Sequence, residues 1–387
     1  MKQEKPGRRL AYMPAPKELF KDIKRVVIKV GTAVLASPAT GLNGKRVEKI
    51  VDEIVDLRRS RREVILVTSG AIGAGMKALG LKERPRTLPG KQAAAAVGQS
   101  YLMHFYERFF RKRGYRVAQI LLTQDDLTDR KRYLNARHTL MTLLKLNVIP
   151  IINENDSVGV EEIKFGDNDT LSALVTNLVE AGLLIILSDI DGLYATDPRK
   201  KKGGKLIRLV ERIDSHIEAS AGGPGEITST GGMCTKLQAA RIVTNSGEPM
   251  VIANGKTPQV IRRILEGEEI GTLFLPRKEK VTSRKRWIAF TRRRCGKILV
   301  DEGAKEALRL KGRSLLPSGI MKVEGDFREG DMVSVVNGDE GEFARGLSNY
   351  SSPEIKKVKG AKTKDIKSIL GYKYYDEVIH RDNLVIL

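Results

Sequence analysis

Between residues 26 and 275 the chain alternates short aliphatic, β-branched runs with longer stretches of helical periodicity, and that alternation leaves few folds open. VVIKV at 26–30 reads as a buried strand; its run is apolar on both faces, as suits a strand covered from two sides. GKRVEKIVDEIVDLRRS at 44–60 spaces its apolar residues three and four apart, which predicts an amphipathic helix, and EVILVTSG at 63–70 reads as the next strand. The pattern continues through helix 90–112, strand 116–122, helix 129–146, strand 148–152, helix 168–181 and strand 183–188. After an irregular insert it resumes with helix 232–246, strand 249–253, helix 257–266 and strand 271–275. Strands separated by helices predict an α/β fold, a mostly parallel sheet sandwiched by helices.

The text changes at 276–294, PRKEKVTSRKRWIAFTRRR, where nine Lys/Arg accompany one Glu. Beyond it, short strand-like runs punctuated by glycine (GKILVDEGA, GIMKVEGDF, GDMVSVVNGDEGEFARGLSNY, DNLVIL) predict a second, smaller mostly-β barrel. The expected organisation is an extension at 1–24, a catalytic α/β domain at 25–276, a basic linker at 277–294 and the small domain at 295–387. Met13 offers an alternative start, so residues 1–12 read as a dispensable extension or a misplaced beginning.

Hydrophobic content of 41% beside 30% charged residues is that of an ordinary folded protein. The longest apolar runs are far too short to span a bilayer, and the N-terminus lacks the apolar core of a secretory signal. Cys234 and Cys295 are too few for a disulfide framework and have no zinc spacing. A cytoplasmic protein with no membrane contact is the expectation. The formal charge of +22 is concentrated in the linker and in KKVKGAKTKDIK at 356–367, and such clusters attract polyanions. Solvated surface and contact with nucleic acid are the two readings.

Against this basic background, IINENDSVGVEEIKFGDNDTLSA at 151–173 gathers Glu154, Asp156, Glu161, Glu162, Asp167 and Asp169 around one cation, Lys164. It follows a predicted strand, where ligands of parallel sheets bind. Three glycine-rich stretches, GTAVL at 31–35, SGAIGAG at 69–75 and TGGMCTK at 230–236, place backbone N–H groups where an anion can approach, and two of them lead into helices. Neither a P-loop nor a Rossmann dinucleotide motif is supported: Met250 stands where a P-loop ending in Gly255-Lys256-Thr257 needs its first glycine, and GAIGAG has its glycines in the wrong order for a dinucleotide fingerprint. Asp189-Ile190-Asp191-Gly192 hints at a calcium loop, but Lys200 occupies the position of its last ligand, so a strand-ending turn is the better reading and no metal site is expected.

Lys29 interrupts an apolar strand, and burying an ammonium is costly unless an anion meets it. Lys236 closes the third glycine loop. His104, His138, His216 and His380 lack partners at triad or metal spacing, so a reaction without a general base suits the inventory. Phosphoryl transfer to a carboxylate is such a reaction, because the nucleophile is already ionised; the enzyme aligns it, holds ATP·Mg²⁺ and offsets charge on the moving group.

VVIKVGTAVL, VTSGAIGAG, KQAAAAVGQ, LNAR, INENDSV, FGDNDTLSA, DGLYATDPR and TGGMCTKLQAA, in this order, resemble the glutamate 5-kinases of the amino acid kinase family. RKRWIAF and VDEGAKEALRLKGRSLLPSGI resemble the long bacterial form, which appends a PUA domain. The resemblance runs from about residue 25 to 381. It implies conversion of ATP and L-glutamate to ADP and L-glutamyl 5-phosphate, the first step of proline biosynthesis, with L-proline as feedback inhibitor, Mg²⁺ carried on the ATP phosphates, and a homo-oligomeric dimer or tetramer. Within the same class, kinases for acetylglutamate, aspartate or a nucleotide monophosphate are the rivals; from another class, RNA binding through the PUA-like domain is the alternative.

Residue by residue, the resemblance assigns Lys29, Lys236 and Asp169 to catalysis, with Asp169 orienting the lysines. Ser69, Asp156 and Asn168 match glutamate-binding positions, with Asn153 their neighbour. Besides Lys29, Ser188, Asp189 and the stretch Thr230, Gly231, Gly232, Met233, Cys234, Thr235 and Lys236 match nucleotide-binding segments. Two departures stand out, Ser188 where threonine is expected and Cys234 where serine is expected, and a thiol is the weaker hydrogen-bond partner.

Overall fold

The computed structural model describes residues 16–37, 41–159, 168–196, 204–221, 232–277, 295–338 and 341–387. The chain divides into two compact units, one of Met1–Gln124 with Arg137–Lys278, the other of Asp125–Ala136 with Glu279–Leu387. No helix among the described residues is long and apolar enough to cross a membrane.

The larger unit is built on strands β1 (Arg25–Val30), β2 (Glu63–Thr68), β3 (Arg116–Leu122), β4 (Val148–Glu154), β5 (Leu183–Ser188), β6 (Leu209–Val210), β7 (Met250–Asn254) and β8 (Thr272–Phe274). They form one sheet in the order β3-β4-β2-β1-β5-β7-β8-β6. Every pairing is parallel except β7 with β8. The alternation of strands and helices thus produces the expected mostly parallel sheet. The antiparallel turn at its far side has no counterpart in the sequence pattern.

Among its helices are α1 (Gly44–Arg59), α2 (Ala71–Ala78), α3 (Leu88–Lys112), α4 (Asn168–Leu178), α5 (Met233–Asn245) and α6 (Val260–Leu265). Asn43 caps α1 by accepting from the Arg46 N–H, and Val47, Ile50, Val51, Ile54, Val55 and Leu57 form its buried stripe. These residues share a core with Val26, Ile28 and Val30 of β1 and with Leu102, Tyr106, Phe109 and Phe110 of α3. Each such side chain contributes about 1.5–3 kcal/mol on burial.

Helix α2 is an element that the glycine-rich reading of 69–75 did not resolve. Gly70 enters it at φ 107°, a left-handed conformation that glycine adopts without a steric penalty. A β-carbon on Gly75 would lie 1.8 Å from the Ala94 carbonyl oxygen, and one on Gly98 would lie 1.7 Å from that of Ala71. The glycines therefore let α2 and α3 meet backbone to backbone.

Strand β1 lies between β2 and β5: the chain passes from β1 to β2 on one side and later crosses from β4 to β5 on the other. The crevice at the carboxyl ends of such diverging strands is where a parallel sheet receives its ligand. Register sets Lys29 level with Val67 of β2 and Ile186 of β5, and Val67 level with Ile152 of β4. Lys29, Ser69, Asn153 and Ser188 are thereby brought to the same end of the sheet.

In the second unit, β9 (Gly296–Val300), β10 (Ile320–Gly325), β11 (Met332–Val336), β12 (Glu342–Leu347) and β13 (Leu384–Ile386) pair in the order β10-β9-β11-β12-β13. Only β9 with β11 is parallel. Ile298, Val300, Val333, Val335 and Ala344 from the strands share its core with Ile355 and Val358 of helix α7 (Ser352–Val358). Ser351 and Glu354 close a capping box at the start of that helix. Apart from Arg277, the basic linker lies outside the described residues, as do residues 1–12.

Candidate active site

Lys29 occupies the next-to-last position of β1, is only 4% exposed, and meets an anion. Its Nζ stands 2.5 Å from Asp169 Oδ1. Asp169 lies in the first turn of α4, completely buried, and its other oxygen, Oδ2, is 3.1 Å from the Nζ of Lys236 in the first turn of α5. Lys236 is likewise 4% exposed rather than a solvated cation. The Thr235 hydroxyl is 3.0 Å from Asp169 Oδ2 and 2.7 Å from the Gly232 carbonyl, so its single hydrogen is shared between two acceptors. Two ammoniums thus converge on one carboxylate, and among these three groups positive charge is in excess. Such an excess of positive charge at the strand ends can attract an anion.

Beside this cluster lies a chain of neutral polar groups. Asn168 Nδ2 is 2.8 Å from the Thr68 carbonyl, 2.8 Å from Ser69 Oγ and 2.9 Å from Asn153 Oδ1, three oxygens around one amide nitrogen. That surrounding fixes which end of the amide is nitrogen. Asn153, 2% exposed at the end of β4, donates through Nδ2 to Gln99 Oε1 at 2.8 Å. Behind Ser69, the Thr68 and Tyr106 hydroxyls lie 2.9 Å apart, and burial pushes the Tyr106 phenol above its ordinary range.

Of the residues expected at the site, the fold brings together Lys29, Asp169, Lys236 and Thr235 in one group and Ser69, Asn153 and Asn168 in another, with Asn168 and Asp169 consecutive. Asp156 is half-buried in the turn after β4, beside a cavity of about 500 Å³ that Gln99, Asn155 and Ser157 also line. Ser188, at the end of β5, donates to Asp189 Oδ1 at 3.2 Å. Gly232 is the N-cap of α5 in an extended conformation, and Met233 is its first residue. Cys234 is exposed, its thiol 3.5 Å from the Ala221 carbonyl. Thr230, Gly231, Glu161 and Glu162 lie outside the described residues.

Sequence reading did not single out Gln99 or the Thr68–Tyr106 pair as site residues, although KQAAAAVGQ carried the glutamine in plain view. It also passed over what holds Asp191. Asn254 donates to one oxygen and the Tyr194 hydroxyl to the other, each at 2.9 Å. Those bonds hold the Asp191 carboxyl below its usual range. The turn after β5 is therefore fastened to the end of β7.

The family model described as "Amino acid kinase family" matches residues 24–254, and that of the PUA domain matches residues 296–370. A glutamate 5-kinase of Caldanaerobacter subterraneus subsp. tengcongensis is 59% identical over 363 residues, 94% of this chain and 98% of that protein. A glutamate 5-kinase of Thermoanaerobacter sp. (strain X514) is 56% identical with the same coverage of both chains. One of Moorella thermoacetica is 55% identical over 364 residues, 94% of this chain and 96% of its own length.

Proposed function

The chain belongs to the amino acid kinase family, on its glutamate 5-kinase branch, and from that premise we propose that it transfers the γ-phosphate of ATP to the side-chain carboxylate of L-glutamate. The products are ADP and L-glutamyl 5-phosphate, in the first step of proline biosynthesis. The observation that carries the reading is the convergence of Lys29 and Lys236 on buried Asp169 at the carboxyl end of the central strands. Catalysis is assigned to residues 25–276.

The acceptor carboxylate is ionised at neutral pH, so no side chain has to remove a proton from it. What remains is alignment and charge. Lys29 and Lys236 offset charge on the transferring phosphoryl group, and Asp169 holds both ammoniums on their bearings while substrates change. Because both oxygens of Asp169 are engaged by the lysines, that carboxylate is not the group to hold a metal; Mg²⁺ is carried on the ATP phosphates, where it supplies further neutralisation. Ser188, Asp189 and the segment 230–236 are assigned to the nucleotide. Ser69, Asn153, Asp156 and Asn168 are assigned to glutamate, with Asp156 and Asn168 toward its α-ammonium.

Measuring ADP release with glutamate, acetylglutamate, aspartate and UMP as acceptors tests the substrate. Turnover with glutamate alone is expected; preference for any of the others would replace this reading. L-proline has the same carboxylate and cationic nitrogen, and we assign it to the glutamate site as inhibitor. Inhibition should therefore be relieved by raising glutamate, whereas inhibition indifferent to glutamate would place proline elsewhere.

A further inference from the structure

The helix that carries KQAAAAVGQ has no role in the reaction as described, yet two of its side chains reach the segment assigned to glutamate. Gln92 and Gln99 are seven residues apart on α3, two turns along one face. Gln92 Nε2 donates to the Gly159 carbonyl at 3.1 Å, just beyond the turn that contains Asp156. Gln99 Oε1 accepts from Asn153 Nδ2 at 2.8 Å, immediately before that turn. One helix face therefore grips the segment 153–159 near both ends.

The Gln99 contact is the more consequential. Gln99 is 8% exposed and Asn153 2%, so the bond between them is largely shielded from bulk water. Asn153 has two ends. Its oxygen receives Asn168 Nδ2, and its nitrogen gives to Gln99. Asn168 Nδ2 in turn reaches Ser69 Oγ. The amides thus run in a fixed sense, Asn168 donating to Asn153 and Asn153 to Gln99. Gln99 Nε2 and Asn168 Oδ1, the two outer ends, are buried without a hydrogen-bond partner among the described residues. If Gln99 loses its oxygen, Asn153 is left with a buried unsatisfied N–H, which it can relieve only by rotating and spoiling the contact with Asn168.

We infer that Gln99 is a positioning residue for glutamate, holding Asn153 and, through it, Asn168 and Ser69 in the orientation that receives the substrate. The inference rests on the assignment of Asn168 and Asn153 to the glutamate site. It concerns binding of the amino acid and not the Lys29–Asp169–Lys236 group, so the two kinetic constants of the enzyme separate it from a general loss of structure.

Gln99→Leu withdraws the acceptor, and Gln99→Asn withdraws it by one methylene while leaving a polar side chain that is gentler on folding. Steady-state kinetics of the full chain are measured for each, alone and combined with Asn153→Ala, together with thermal unfolding with and without L-glutamate. Each Gln99 substitution is expected to raise the KM for glutamate about tenfold, with the KM for ATP within about twofold, and to weaken the glutamate-induced rise in unfolding temperature. In the Asn153→Ala background the same substitution should add little, because the route to Asn168 is already cut. Equal effects in both backgrounds, or an unchanged KM for glutamate while Asn153→Ala and Asn168→Ala raise it, would overturn the role of Gln99 alone. If Asn153→Ala and Asn168→Ala also leave it unchanged, the glutamate assignment itself fails, and the inference with it.

Discussion

Replacing Asp169 by asparagine keeps the size of the side chain and removes the one charge that Lys29 and Lys236 share. In the native arrangement the two ammoniums sit 2.5 and 3.1 Å from its oxygens, and both lysines are only 4% exposed. At these separations each attraction is roughly 5–7 kcal/mol at an effective dielectric constant of about 20, offset in the native protein by the cost of removing all three groups from water. Deleting one partner of such a buried group typically costs about 3–5 kcal/mol, because the remaining charges stay buried without compensation. Asp169→Asn should therefore lower the unfolding temperature by roughly 6–15 °C in the absence of nucleotide. ATP supplies the missing negative charge, so its addition should restore more stability to the variant than to the parent. Turnover should nevertheless fall by about 10²–10³-fold, since the lysines lose the group that orients them at the transition state. Calorimetry with and without ATP, beside steady-state kinetics, measures all three effects. An unchanged unfolding temperature with kcat within tenfold of the parent would refute the electrostatic reasoning.

Glu53 gives a pH prediction. Its carboxylate accepts from the Ile261 N–H at 2.7 Å, but burial outweighs such backbone bonds and raises its pKa from 4.5 to about 7. The folded state thus holds this proton more tightly than the unfolded chain, and the stability it contributes is present below about pH 4.5 and is lost as pH rises through 7, by about 3 kcal/mol in all. Glu53→Gln should match the parent more closely at pH 5 and exceed it increasingly toward pH 8; a pH-independent difference in denaturant unfolding would exclude this. Gly98→Ala should destabilise the larger unit by about 3 kcal/mol, because the added carbon lies 1.7 Å from a carbonyl oxygen and α2 must move off α3; a near-native midpoint would contradict the close approach. Tyr106→Phe should cost about 1–2 kcal/mol by leaving the buried Thr68 hydroxyl short of a partner, with part of the loss recovered on adding Thr68→Val.

The strands were legible because a parallel sheet buries both faces. VVIKV, EVILVT and LLIILS read as continuous apolar runs, and each is buried along nearly its whole length. The same logic made Lys29 conspicuous, since a charge in such a run calls for a counter-ion. That the counter-ion is Asp169, and that Lys236 lies against its other oxygen, is not written in any local spacing; one strand and two helices brought together by the fold create it. Asp169 and Lys236 entered as candidates through family resemblance, and Lys236 was also noted at the end of a glycine loop. Helix α2 stayed hidden because glycine is a poor helix former whose use here, backbone contact with α3, exists only in the packed structure. The reversed direction of β8 was hidden too, because a three-residue apolar strand reads the same in either direction. The amide chain from Gln99 to Asn168 was illegible for a further reason. Glutamine and asparagine in a sequence carry no sign of burial or of which end of the amide faces inward.

The central claim is that phosphate passes to the side-chain carboxylate of glutamate under the two lysines. Its most direct test is to run the reaction with hydroxylamine present, which converts an acyl phosphate into a hydroxamate. The account predicts γ-glutamyl hydroxamate in one-to-one proportion with ADP, and loss of both signals by about 10²-fold or more in Lys236→Ala. ADP formed without hydroxamate, or hydroxamate formed at the parental rate by Lys236→Ala, would contradict it.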